Sequence, residues 1–191
     1  MTEQSVYTIG HSTRSSDELL DVLESAGIEV LADVRRMPGS RRLPQFASPA
    51  LERSLSARGI DYCWIAQLGG RRRPVQGSRN VGWRHPAFRA YADHVATEEF
   101  AEGLFELLML ARGRRTAVMC AEVLWWRCHR RIIADVLVAL GFTVEHLFSA
   151  EKRELHRLAP PARLVGTELR YDLSAPPRAA ERARIVRSID E

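Results

Sequence analysis

Five short apolar runs set the architecture of this chain: VYTIG from position 6, IEVLADV from 28, IDYCWI from 60, TAVMCAE from 116 and FTVEHLF from 142. Most lack the strict polar–apolar alternation of a strand with one wet face, so they read as strands buried on both sides. The segments between them have helical period. SSDELLDVLESAG puts Leu19, Leu20, Val22 and Leu23 on one stripe, with Ser15 or Ser16 as its cap and Gly27 just past its end. SPALERSLSARG opens on Ser48 and Pro49 and closes on Gly59. AFRAYADHV and TEEFAEGLFELLMLARG follow, the second capped by Thr97, and HRRIIADVLVALG carries Ile132, Ile133, Val136, Leu137 and Leu140 on one face. Strands that alternate with helices predict an α/β fold, a Rossmann-like and mainly parallel sheet flanked by helices.

A chain of 191 residues suits one such domain, expected over residues 1–158. Beyond it the composition shifts to Pro-Pro pairs and charges, so residues 159–191 read as a C-terminal extension, flexible in part. The long basic segment AQLGGRRRPVQGSRNVGWRHP follows the third strand, and loops of that length are expected to be functional or disordered. No apolar run is long enough to span a bilayer, and the N-terminus lacks a basic region followed by an apolar stretch. Three cysteines form no disulfide framework. The expectation is a soluble, cytoplasmic protein with no membrane partner. The sequence points to no particular cofactor or oligomeric state.

Charge narrows the partners. The chain has 28 basic residues, and Lys152 is its one lysine. Codon bias explains the global preference for arginine but not its local clustering. Between Arg35 and Arg84 lie eleven arginines against two acids, Glu52 and Asp61, with Tyr62, Trp64 and Trp83 interleaved. Planar guanidinium forks bind phosphate, and aromatic rings stack on bases. The pattern fits an anionic ligand, a nucleotide or a nucleic acid, and it equally fits a solvated basic face.

In an open parallel sheet, ligands bind beyond the carboxyl ends of the strands, and here the chemistry follows those ends. After the first strand come His11 and Ser12, which read as a general acid or base with a hydrogen-bond donor to phosphate at a helix start, or equally as a ring packed on a neighbour beside a capping serine. After the second come Asp33, Arg35, Ser40 and Arg41, with Asp33 placed to orient Arg35 and the arginines to grip an anion. After the third come Gly69 and Gly70, which permit close backbone approach to a ligand or simply turn the chain. At the end of the fourth come Cys120 and Glu122, followed by Arg127, Cys128, His129 and Arg130.

Within VMCAEVLWWRCHRRIIADVL, Cys128 begins a helix beside Arg127, His129 and Arg130, a setting that stabilises a thiolate. Cys120 reads as a small buried residue. CAEVLWWR is one residue too long for a Cys-x5-Arg phosphate loop and lacks its glycines. Cys120, Cys128, His129 and a distant His11 match a closed zinc site weakly, so no metal is expected. Glu122, a carboxylate ending a buried strand, ranks ahead of either thiol as the acid or base, because its desolvation demands a partner or a job.

TIGHS, LADVRRMPGSRRLPQF, LGG and CAE…CHRRIIADVL…G…V.H appear in the order found in the domain of unknown function 488 family, and over residues 6–147 the chain resembles it. The resemblance implies a compact α/β domain in a cytoplasmic microbial protein, with no settled reaction and loose labels connected to DNA repair. Carried over by motif, the signature polar residues fall on His11, Ser12, Asp33, Arg35, Ser40, Arg41, Cys120, Glu122, Cys128, His129 and Arg130. One departure stands out: the link VLWWR is apolar where the resemblance implies a polar, often proline-containing stretch, so Trp125 and Trp126 are expected to shift the loop, cover the site or form an apolar wedge. The leading expectation is a hydrolase- or transferase-type enzyme for a phosphate-bearing substrate. In it Glu122 and His11 exchange a proton and Cys128 is a lesser candidate nucleophile. The alternatives are a non-catalytic nucleic-acid-binding module and a cysteine-based sulfur or redox protein.

Overall fold

A computed structural model describes residues 4–39 and 41–172. Its sheet has six strands in the order β3-β2-β4-β1-β5-β6. These are β1 (Ser5–Gly10), β2 (Val30–Asp33), β3 (Asp61–Trp64), β4 (Thr116–Cys120), β5 (Thr143–Leu147) and β6 (Arg153–Leu155). The first five run parallel, and β6 pairs antiparallel with β5 at the edge. The helices are α1 (Ser16–Ser25), α2 (Ser48–Ser56), α3 (Pro86–His94), α4 (Glu98–Ala111) and α5 (Arg130–Ala139). The fold is α/β, as the alternation of runs predicts.

Strand periodicity divides the core in two. Tyr7, Ile9, Leu31, Ala117, Met119 and Leu147 face the apolar stripes of α1 and α2. Their neighbours Val6, Ala32, Val118, Cys120 and Val144 face α3, α4 and α5. The chain therefore leaves β1 toward one face of the sheet and leaves β4 toward the other. Because β1 and β4 are adjacent, their carboxyl ends form a topological switch point, where a crevice opens.

The edge strand β6 and a small hairpin of β7 (Arg163–Val165) and β8 (Glu168–Arg170) escape the sequence reading. Three-residue strands carry too little pattern to be seen. The expected extension also starts inside the packed protein: Ala162 and Tyr171 are buried in the core on the α5 side. Residues 173–191, the rest of it, lie outside the described residues.

The long basic segment is anchored. Arg72 donates to the carbonyls of Gly69 (2.8 Å) and Gln67 (2.7 Å) and pairs with Glu99 at 2.6 Å. Ser78 and Asn80 donate to Asp93 at 2.6 and 2.8 Å. Trp83 is buried, stacked on Phe88 with centroids 4.9 Å apart. No helix among the described residues is long and apolar enough to cross a membrane.

Candidate functional site

A cleft of about 720 Å³ opens at the switch point. One wall carries Arg35, Arg36, Met37 and Gly39 from the loop after β2, and another carries Gly70, Arg71 and the start of α3 with His85 and Phe88. The floor is Cys120, Ala121, Glu122, Cys128 and His129, with Trp126 and Arg127 at the side. Glu122 is the one carboxylate among the described residues that line it.

At the floor, the sulfurs of Cys120 and Cys128 stand 2.8 Å apart. Burial pushes both thiols up, yet they titrate apart. Cys120 is raised well above its ordinary value, by its hydrogen bond to Cys128 and by burial. For Cys128 the upward push of burial is outweighed by the Cys120 thiol and by the charge, backbone N–H and side chain of Arg130, which bring it down to about 6. These opposite directions favour Cys120 as the proton donor and Cys128 as the acceptor of their contact. Cys63, on β3, is pushed up to about 12 by burial and Glu106.

His129 completes the group. Its Nε2 lies 3.1 Å from the carbonyl of Val34, which can only accept, so Nε2 holds the proton. The neutral ring then turns its Nδ1 lone pair toward Cys128 Sγ at 3.5 Å, where it can accept a hydrogen bond only while Cys128 carries its proton. The two sulfurs and a ring nitrogen lie within 4.8 Å of one another, a donor set zinc accepts. Two sulfurs bound at about 2.3 Å to a tetrahedral ion stand about 3.8 Å apart. Here they are closer, and a guanidinium sits against them, so the arrangement fits a shared proton better than a shared cation.

Arg130 is buried and spans the floor. It donates to Thr8 Oγ1 at 3.2 Å and to the backbone carbonyl of Glu122. Behind Thr8 runs a buried chain with one internally consistent direction. Tyr171 and His156 Nε2 donate to Asp135 at 3.0 and 2.9 Å. His156 Nδ1 then accepts from His146 Nε2 at 2.9 Å, and His146 Nδ1 accepts from the Thr8 hydroxyl at 2.7 Å. Trp125 stacks flat on His146, centroids 4.2 Å apart. His146 stands in the V.H of the family motif but was given no role, and His156 was not singled out; the sequence shows no link from either to Thr8 or Tyr171.

The other expected residues divide. Asp33 is fully buried and holds Arg35 through backbone N (3.0 Å) and Nε (2.8 Å), with Tyr62 donating to it at 2.8 Å. Breaking such a buried pair strands a charge and costs about 3–5 kcal/mol. Gly70 lines the cleft, and a Cβ there would stand 2.9 Å from the His129 ring. Gly69 packs against Arg36, where a Cβ would come within 2.8 Å of the backbone.

Four expectations need correction. Glu122 is exposed, because β4 ends two residues earlier, at Cys120, so it bears no burial penalty. Its carboxylate accepts from the Leu124 N–H at 3.1 Å, while Arg130 takes its backbone carbonyl. His11 is buried beneath Phe46, centroids 4.2 Å apart, with Nδ1 bonded to the Ser12 carbonyl, and it is not among the residues lining the cleft. The start of α1 is satisfied by a capping box of Ser15 and Glu18, and the Ser12 N–H donates to Ala121 at 2.9 Å. That helix start therefore offers an anion less than the sequence suggested. Arg41 is exposed and outside the cleft lining, and Ser40 lies outside the described residues.

The buried histidines make a pH prediction. Burial lowers His11 to about 4 and His146 to about 2, and lowers His94 and His129 as well. Folded, these rings stay neutral; unfolded, they take protons near pH 6.5. The unfolded chain therefore binds more protons as pH falls, and stability declines from about pH 6.5 downward. Urea midpoints should drop between pH 7 and pH 5, above the range where carboxylates titrate. A flat profile across that window contradicts neutral buried rings.

The family described as domain of unknown function DUF488 matches residues 15–137. The chain belongs to this family. No curated protein and no solved structure matches it. Within the matched stretch lie Asp33, Arg35, Gly69, Gly70, Cys120, Glu122, Cys128, His129 and Arg130, which are the cleft and its supports. The family description carries no reaction, so the chemistry rests on this geometry.

Proposed function

We propose that this DUF488 protein is an enzyme that binds a phosphate-bearing substrate, a nucleotide or a nucleic-acid segment, in the switch-point cleft and attacks it through Cys128. One observation carries the reading: Cys128, whose thiol is drawn down to about 6 beside Arg130, opens onto a cleft lined by Arg35, Arg36, Arg71 and Arg127. Arginine forks suit phosphate oxygens. Trp126, 41% exposed, and Phe88 offer flat apolar surfaces to a base. Attack by Cys128 forms a bond from sulfur to the substrate and releases a leaving group. An acceptor such as water, deprotonated by Glu122, then breaks that bond. Relative to the sequence reading, the thiol moves ahead of His11, and Glu122 keeps its role as the base.

The test is alkylation of the whole chain with iodoacetamide from pH 5 to pH 9, with and without mononucleotides and oligonucleotides at low and high salt. Cys128 should react with a midpoint near its value of about 6, and a bound mononucleotide should slow it several-fold at either salt. A midpoint near the ordinary thiol value of about 8.5, with no protection by any phosphate compound, rejects the reading. Binding of oligonucleotides alone, erased by salt and indifferent to Cys128→Ser, points to a non-catalytic nucleic-acid module.

A further inference from the structure

Cys120 and Cys128 are closer than a substrate nucleophile and a packing residue need to be. Their sulfurs stand 2.8 Å apart, well inside the roughly 3.5–4.0 Å at which non-bonded heavy atoms settle. Each is fixed by a rigid element. Cys120 ends β4 in register with Gly10 of β1, and Cys128 stands directly before His129, the residue that caps the start of α5. Both line the cleft, so a small solute that enters it meets the pair. A nucleophile alone would not explain a second thiol aimed at it.

We propose that Cys120 and Cys128 form a redox couple in which Cys128 reduces a hydroperoxide and Cys120 resolves the product as an intramolecular disulfide. The Cys128 sulfur attacks the terminal peroxide oxygen. The S–O bond forms, the O–O bond breaks, and the departing alkoxide or hydroxide takes a proton and leaves as alcohol or water. Sulfur has lost two electrons and stands as sulfenic acid. Cys120 then gives up its proton and attacks that sulfur. The S–S bond forms, the S–O bond breaks, and water leaves. In sum, one hydroperoxide and two thiols give one alcohol or water, one disulfide and one further water. An external dithiol returns the pair by thiol–disulfide exchange. The separation of the two thiols into a donor and an acceptor suits the order of events, since the one that holds the negative charge attacks first.

The couple shares Cys128 with the proposed function, and one experiment separates their fates. The reduced full-length chain is treated at pH 7 with one equivalent of hydrogen peroxide. Thiols are then counted after denaturation, and the peptides are weighed. Of the three cysteines, one should remain as a thiol, Cys63, with Cys120 and Cys128 joined and restored by a dithiol reductant. In Cys120→Ser the same dose should leave Cys128 as a sulfenic acid, with no internal disulfide. In Cys128→Ser, Cys120 should stay reduced. Three remaining thiols in the wild-type chain, or a wild-type Cys128 sulfinic acid without the Cys120–Cys128 bond, overturns the couple. If the iodoacetamide midpoint still lies near 6 in that event, the nucleophile reading survives alone.

Discussion

Gly10→Ala should prevent the protein from folding to its native state, or cost at least about 4 kcal/mol where it folds, a size reserved for severe core defects. Gly10 ends β1 directly under the turn that follows β4. A Cβ there would lie 1.9 Å from the Glu122 carbonyl oxygen, 2.5 Å from its carbon and 2.7 Å from Val123 Cα. All three are backbone atoms, so no side-chain rotation relieves the overlap. The turn itself cannot move outward cheaply. The His11 and Ser12 N–H groups donate to Cys120 and Ala121 at 3.0 and 2.9 Å, and Arg130 holds the Glu122 carbonyl from below. Small domains are stable by about 5–15 kcal/mol in total, so a loss of this size leaves little folded protein. The measurement is a urea midpoint beside Gly39→Ala, where a Cβ meets nothing within 4 Å and a near-neutral effect is expected. A Gly10→Ala protein as stable as the wild type would mean that the floor of the cleft is not packed as described.

That contact illustrates what a sequence shows and what it hides. The parallel core was legible because each strand is a run of buried residues and each helix carries an apolar stripe, and both signals are local. Gathering the chemistry at the carboxyl edge was legible too, since Cys120, Glu122, Arg35 and Gly70 all follow strand ends. Distances across the edge were not. Cys120 looked like a small core residue because nothing in CAEVLWWRC tells that seven intervening residues loop back to bring the sulfurs to 2.8 Å. Glu122 looked buried because the apolar run was taken to continue through it, whereas the sheet ends at Cys120. His11 looked catalytic from its place after a strand, but Phe46, arriving from a separate loop, covers it. The His146–His156–Asp135 chain joins β5, the residue after β6 and α5; Asp135 and His146 both fall within ADVL…G…V.H, but no motif ties either to His156.

Arg130→Met should move the titration of Cys128 from about 6 to the ordinary thiol range of about 8.5 or above. Burial favours the neutral thiol, and what opposes it is the Cys120 hydrogen bond together with the charge and the N–H groups of Arg130. Methionine keeps much of the volume and removes the charge and the side-chain donors, so the burial cost gains weight. The readout must be the midpoint of the alkylation profile rather than the rate at one pH. A thiolate of higher pKa is intrinsically more nucleophilic, with a Brønsted slope of about 0.4–0.5, and this offsets much of the lost thiolate at pH 7. The buried chain supplies a graded control. Thr8 accepts from Arg130 and donates to His146, so Thr8→Val removes one anchor of the guanidinium while leaving its charge, and Thr8→Ser keeps that anchor. The midpoint should rise most in Arg130→Met, less in Thr8→Val and little in Thr8→Ser. A Cys128 midpoint near 6 in Arg130→Met would show that Cys120 alone holds the thiolate, and Arg130 would then be left with its bonds to Thr8 and the Glu122 carbonyl as a structural clamp.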